Sequence, residues 1–211
     1  MSTTAVAPPP AGVTTPPPAA PFTPPITVAD VYRLTVEQYQ RMVDTGILMG
    51  GDPVELLDGY LVTKMGKNRP HVIATQHVRT LLERLLPAGW SVGVQDPITL
   101  DTGEPEPDVT VFRGTADDYP TTHPTPADVP LVVEVSHASL PRDREWKRRM
   151  YARNGIPVYW IVNVDDGVLE VYTDPANGDY ATARTLTRAD RADVVIAGVA
   201  VGTAAVADIL P

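Results

Sequence analysis

Glu134 interrupts the otherwise apolar run Leu131-Val132-Val133-Glu134-Val135. A carboxylate there is costly to bury unless a metal ion or a cation pairs with it. Its other reading is a strand-edge glutamate that faces water. Asp108 follows Pro107 at the entry to Asp108-Val109-Thr110-Val111-Phe112. A proline at a strand entry holds the next side chain at the strand end, although a turn aspartate in the acidic stretch before it reads the same way. Glu55 lies between Val54 and Leu56 and shares a strand face with Leu57 by the two-residue period. Alone, it is a half-exposed strand glutamate. Lys147 belongs to a segment with six basic residues between positions 142 and 153. Asp143, Lys147 and Tyr151 are spaced i, i+4, i+8 and fall near one helix face. The competing reading of such a charge run is a solvated, salt-bridged helix. Trp146 and Met150 are spaced to anchor that helix in a core.

Other chemistries find less support. The chain has no cysteine, which excludes disulfides, thiolate zinc sites and a cysteine nucleophile. Its four histidines, at 71, 77, 123 and 137, have no zinc spacing. No Gly-x-Ser-x-Gly elbow or phosphate-binding glycine loop is present. A net charge of −9 argues against a protein that coats nucleic acid through a broad basic face. It leaves room for an enzyme with an acidic site and a local basic patch. No stretch reaches the roughly 20 apolar residues of a membrane span, and the N-terminus lacks a signal-peptide pattern, so a cytoplasmic location is expected.

These residues need elements to hold them. Residues 1–27 contain nine prolines, with Ala and Thr, and read as a disordered tail. Docking through Pro-Pro-Pro at 8–10 or 16–18 is the other reading. The folded domain is expected over 28–211, long enough for a core of its own. Thr35 and Gln38 form a capping-box signature for a helix through Val43 that Gly46 can close. Val54 to Thr63 reads as a hairpin about Asp58-Gly59. Pro70 starts a helix that ends before Pro87. Strands are expected at 90–95, 97–100, 108–112, 131–135, 158–164, 168–174, 181–187 and 193–198, and a helix over 142–154. Strand 131–135, that helix and strand 158–163 make a crossover unit. The whole is a mixed α/β domain with a central sheet.

VELLDGYLV, PEPDVTVFRG and HPTPADVPLVVEVSHASLPRDREWKRRMYARNGIPVYWIVNV resemble the Uma-two group of restriction endonucleases, within the PD-(D/E)XK nuclease superfamily. The resemblance covers roughly residues 30 to 210. It implies a restriction-endonuclease-like fold, a mixed central sheet flanked by helices with additional hairpins. It implies a metal-dependent endonuclease that hydrolyses DNA phosphodiester bonds, with Mg²⁺ or Mn²⁺ bound by Glu55, Asp108 and Glu134. The motif lysine of the superfamily stands two residues after the second acid, where this chain has Ser136. Lys147, in Asp-x-x-x-Lys on the next helix, is the replacement the resemblance implies. Gln95, Asp143, Tyr151, His71, Arg144 and Arg148 are expected to support these residues or to meet substrate. Arg142 and Arg149 join Arg144 and Arg148 as candidates for steering phosphates. Family members often carry Asp where this chain has His137. A homodimer is the assembly many such nucleases use. The alternative is a catalytically inactive module on the same fold, binding nucleic acid or a protein.

Overall fold

The computed structural model describes residues 27–49 and 51–211. The proline-rich tail expected over 1–27 lies outside them, apart from Thr27. The chain divides into two units, Met1–Val31 and Tyr32–Pro211. The described part of the first is a 3-10 turn at Val28–Asp30. All other elements belong to the second.

Helix α1, Val36–Asp44, opens on the expected capping box. The Gln38 N–H donates to Thr35 Oγ1 at 3.2 Å, and the Thr35 N–H donates to Gln38 Oε1 at 2.9 Å. Strands β1, Val54–Leu57, and β2, Tyr60–Thr63, form the expected hairpin. Both turn residues, Asp58 at φ 47° and Gly59 at φ 84°, are left-handed, as a tight two-residue turn requires. Helix α2, Arg69–Leu85, is capped by Asn68, whose side chain accepts from the His71 N–H.

The central sheet has six strands: β3 Trp90–Gly93, β4 Val109–Arg113, β5 Leu131–Ser136, β6 Val158–Asn163, β7 Val168–Ala176 and β8 Asp179–Leu186, in that order. Only β5 and β6 run parallel. The helix of their crossover comes in three continuous pieces, α3 Leu140–Arg142, a π turn Asp143–Lys147 and α4 Arg148–Arg153. A second hairpin, β9 Arg191–Ile196 with β10 Val199–Ala205, leads into α5, Val206–Ile209.

Strand alternation divides the core between the two faces of the sheet. Val133, Val135, Trp160 and Val162 pack with α2, the β9–β10 hairpin and α5. Val132, Tyr159 and Ile161 pack with Met150, Tyr151 and Ala152 of α4. Glu134 shares the parity of Val132, so it faces the crossover helix. No helix among the described residues is long and apolar enough to cross a membrane.

Several expected strands are revised, among them 193–198, which ends at Ile196 in a turn at Ala197-Gly198 that leads into β10. Residues 97–100 form no strand: the Ile98, Thr99 and Leu100 N–H groups donate to loop carbonyls of Pro105, Pro124 and Gly103. The first sheet strand stops at Gly93 because Gln95 turns left-handed at φ 60°. β4 begins at Val109, which leaves Asp108 at its mouth.

Candidate active site

The registers of the elements explain how the acids meet. Val109 pairs with Val133 and Thr110 with Val132, so one further step along the ladder sets Asp108 opposite Glu134. Asp108 Oδ2 accepts the Val135 N–H at 2.9 Å and lies 3.0 Å from His71 Nε2 of α2. Its Oδ1 accepts from Gln95 Nε2 at 3.3 Å. Burial opposes ionisation of this carboxyl, but the His71 and Val135 contacts hold it below its usual range.

The crossover helix lays Asp143, Lys147 and Tyr151 against the same face, all three buried. Its π turn is the kind of local widening often found at functional sites, and here it carries both Asp143 and Lys147. Lys147 Nζ donates to Glu134 Oε1 at 3.0 Å and lies 3.1 Å from Glu55 Oε2. The Tyr151 hydroxyl donates to the same Glu134 oxygen at 2.8 Å. Ser136, where the motif lysine would stand, donates through Oγ to Asp143 Oδ2 at 2.6 Å. Glu55 Oε2 also accepts the Glu106 N–H at 3.2 Å.

Burial is the largest influence on Glu134, which is 4% exposed. With Asp143, Asp108 and Glu55 nearby, it raises that carboxyl well above the usual carboxylate range, against the pull of Lys147. Burial likewise raises Asp143. Lys147 is desolvated too, but Glu134, Glu55 and Asp143 keep it firmly protonated. One buried ammonium thus balances a cluster of acids, each of which would be costly alone.

The pocket encloses about 60 Å³. Glu55, Glu106, Asp108, Glu134 and Asp143 line it, with Lys64, Lys67, Arg142 and Lys147 as their counter-charges. His71 and Gln95 complete one wall. The oxygen donors suit a hard divalent cation. In position, however, Lys147 Nζ takes the ground between Glu55 and Glu134, and among the described residues no group of three His, Cys, Asp or Glu side chains is set to hold an ion.

Ten residues were expected at this site, and the structure brings Glu55, Asp108, Glu134, Lys147, Gln95, Asp143, Tyr151 and His71 together. Arg144 and Arg148 stand outside the pocket. Arg144 grips Glu170 of β7 through Nε and Nη2, and Arg148 pairs with Asp179 at 2.8 Å, so neither lines the pocket. They are held toward β7 and β8, Arg149 also pairs with Asp179, and Arg142 is the arginine that reaches the site. His137 is exposed and pairs with Asp165 at 2.6 Å, away from the acids.

Glu106, Lys64 and Lys67 are site residues that the sequence did not single out. Glu106 sat in a stretch that read as an acidic loop. The lysines follow the β1–β2 hairpin, where a short basic run after a strand was the available signal. Asp58, legible as a turn residue, has a second role. Its carboxylate accepts from Trp146 Nε1, Arg153 Nη2 and Thr102 Oγ1, tying the crossover helix to the hairpin that carries Glu55.

A mixed six-stranded sheet flanked by helices, with an acid-lined pocket at the β4–β5 junction, describes a nuclease-like α/β domain. The chain belongs to the Uma2 family, described as "Putative restriction endonuclease", whose model matches residues 36–204. A crystal structure described as "a putative nuclease belonging to DUF820", from Anabaena variabilis ATCC 29413, has the same fold at a TM-score of 0.65. It shares 13% identity, and the match covers 83% of this chain and 97% of that one. No curated protein matches the chain.

Proposed function

We propose that this protein is an endonuclease that hydrolyses DNA phosphodiester bonds with Mg²⁺ or Mn²⁺. The observation that carries this reading is the meeting of Glu55, Asp108, Glu134 and Lys147, from separate elements, at one small buried pocket. Family membership supports nuclease chemistry in general.

Glu55, Asp108 and Glu134 would hold the ion, as oxygen donors of the type such cations prefer. A bound divalent ion supplies Lewis acidity that lowers the pKa of water from about 15.7 toward neutrality. The remaining work falls to the chain. Lys147, fixed as an ammonium, offsets charge that develops on phosphoryl oxygens and orients the attacking water. Tyr151 fixes the rotamer of Glu134, while His71 and Gln95 fix Asp108. The substrate and the absence of cysteine suit the cytoplasm, and cutting both strands of a duplex would call for a homodimer.

The test is cleavage of plasmid and single-stranded DNA with Mg²⁺ or Mn²⁺ by the intact chain, Glu134→Ala and Lys147→Ala. Metal-dependent cleavage by the intact chain, lost in both variants, is the expected result. Cleavage that survives in Glu134→Ala would remove this pocket from the chemistry.

One observation favours a second reading, a non-catalytic module on this fold. Lys147 bridges two of the three acids, which leaves them occupied. Calorimetric titration that detects no Mg²⁺ or Mn²⁺ binding, together with no cleavage, would select it.

A further inference from the structure

Ligand sites that engulf a small molecule enclose about 300–1,000 Å³. This pocket, at about 60 Å³, has room for a few waters or one phosphate-sized group. A nucleotide cannot enter whole, so the rest of any strand must run across the mouth. The mouth is built by an irregular segment, Lys64-Met65-Gly66-Lys67-Asn68, between β2 and α2. Lys64, Met65 and Lys67 all line the pocket, and Met65 is 43% exposed. Arg142 joins the segment by donating from Nη1 to the Thr63 carbonyl at 2.9 Å. Lys67 is exposed and in no ion pair among the described residues. Lys64 is held by Glu106 at 2.6 Å across the mouth.

Resting on the nuclease reading above, we infer that Lys64 and Lys67, with Arg142, form a backbone track for one nucleic-acid strand. The lysines contact phosphates flanking the one at the acids, and Met65 gives the sugar and base side an apolar surface. Glu106 competes for Lys64, and an arriving phosphate displaces it. In a chain of charge −9 with an acid-lined pocket, the attraction must come from these mouth cations: Lys67 is in no ion pair among the described residues, Lys64 is paired with Glu106, and Arg142 lies 3.8 Å from Glu55.

The experiment is fluorescence anisotropy of a labelled single-stranded deoxyoligonucleotide with the full chain in EDTA, across a salt series. For single strands log K falls by about 0.7 per phosphate contact per decade of salt. Lys67→Ala should therefore weaken binding about five-fold at about 0.1 M salt and flatten the salt slope by about 0.7. The double variant with Lys64→Ala should lose more than that but less than about 25-fold, because Glu106 offsets part of the Lys64 contact. Glu106→Gln frees Lys64 and should tighten binding, a direction that misfolding does not produce. Arg79→Ala, an exposed cation on α2, should change neither quantity.

If Lys67→Ala binds like Arg79→Ala, or Glu106→Gln fails to tighten, the track is wrong. Intact cleavage with unchanged binding in Lys67→Ala overturns the track and leaves the nuclease reading standing. Lysine-dependent binding without cleavage under either metal supports the track and removes catalysis. An intact chain that binds no oligonucleotide overturns the track.

Discussion

Asp58→Asn separates a turn residue from an inter-element tie. Asparagine tolerates the left-handed φ of 47°, so the turn itself should survive. What changes is the fastening of the crossover helix to the hairpin. Oδ1 receives Thr102 at 2.9 Å and Arg153 at 2.7 Å, and Oδ2 receives Trp146 at 2.7 Å and Arg153 at 2.8 Å. An amide keeps one oxygen and turns a donor toward the other two partners. Losing the half-buried indole bond costs about 1 kcal/mol. Arg153 is 44% exposed, so its charge contributes only about 0.5–1 kcal/mol after screening. The sum is about 1.5–2 kcal/mol at neutral pH.

The pH dependence carries the sharper test. Burial raises the Asp58 carboxyl, but Arg153, Trp146 and Thr102 together bring it below its ordinary value of 3.8. A depressed folded-state pKa means stability that is present above the unfolded value and lost as pH falls through the folded one. Urea unfolding of the native chain and Asp58→Asn should differ by about 1.5–2 kcal/mol near pH 7, and the part due to charge should fade below pH 4. A difference under about 0.5 kcal/mol at pH 7 would refute the tie, since that is the scatter expected of a plain surface substitution. A gap that stays constant through the acid range would refute the electrostatic part.

Two further outcomes follow from the same geometry. Ser136→Ala removes the hydroxyl donor from a buried Asp143 carboxyl, so chemical denaturation should show a loss of about 1–3 kcal/mol, and a neutral result would mean that the 2.6 Å bond is replaceable. Gly59→Ala puts a Cβ 2.8 Å from Arg33 Cβ and 3.0 Å from the Leu34 carbonyl at φ 84°, so it should lower the unfolding free energy by more than the roughly 1–2 kcal/mol of left-handed strain alone.

What could be read from the sequence follows a physical division. Local periodicity and turn chemistry were legible: Thr35 with Gln38 gave a helix start, and Asp58-Gly59 gave a hairpin. Glu134 drew notice because a carboxylate in an apolar strand demands a partner, whereas the i, i+4 spacing of Lys147 fitted a solvated helix equally well and only the family resemblance singled it out. The run 97–100 was misjudged because Ile98 and Leu100 are buried as strand residues would be, yet bond to loop carbonyls. Burial alternates in both cases, and pattern alone does not say where the N–H groups go. The Lys64–Glu106 and Asp58–Trp146 pairings escaped notice because they join residues far apart in sequence. The basic run 142–153 read as one patch, although Glu170 and Asp179, distant in sequence, hold Arg144 and Arg148 outside the pocket.

The acids and the cation of the pocket stand on different elements, with Glu134 on β5 and Lys147 on the π turn that follows it. A lysine two residues along the same strand would be present as soon as that strand formed. Here the ammonium reaches the carboxylates only when the crossover helix settles on the sheet. A newly made or partly opened chain therefore lacks an assembled centre, even with its strands in place. Completion of the fold is what brings this ammonium to its acids.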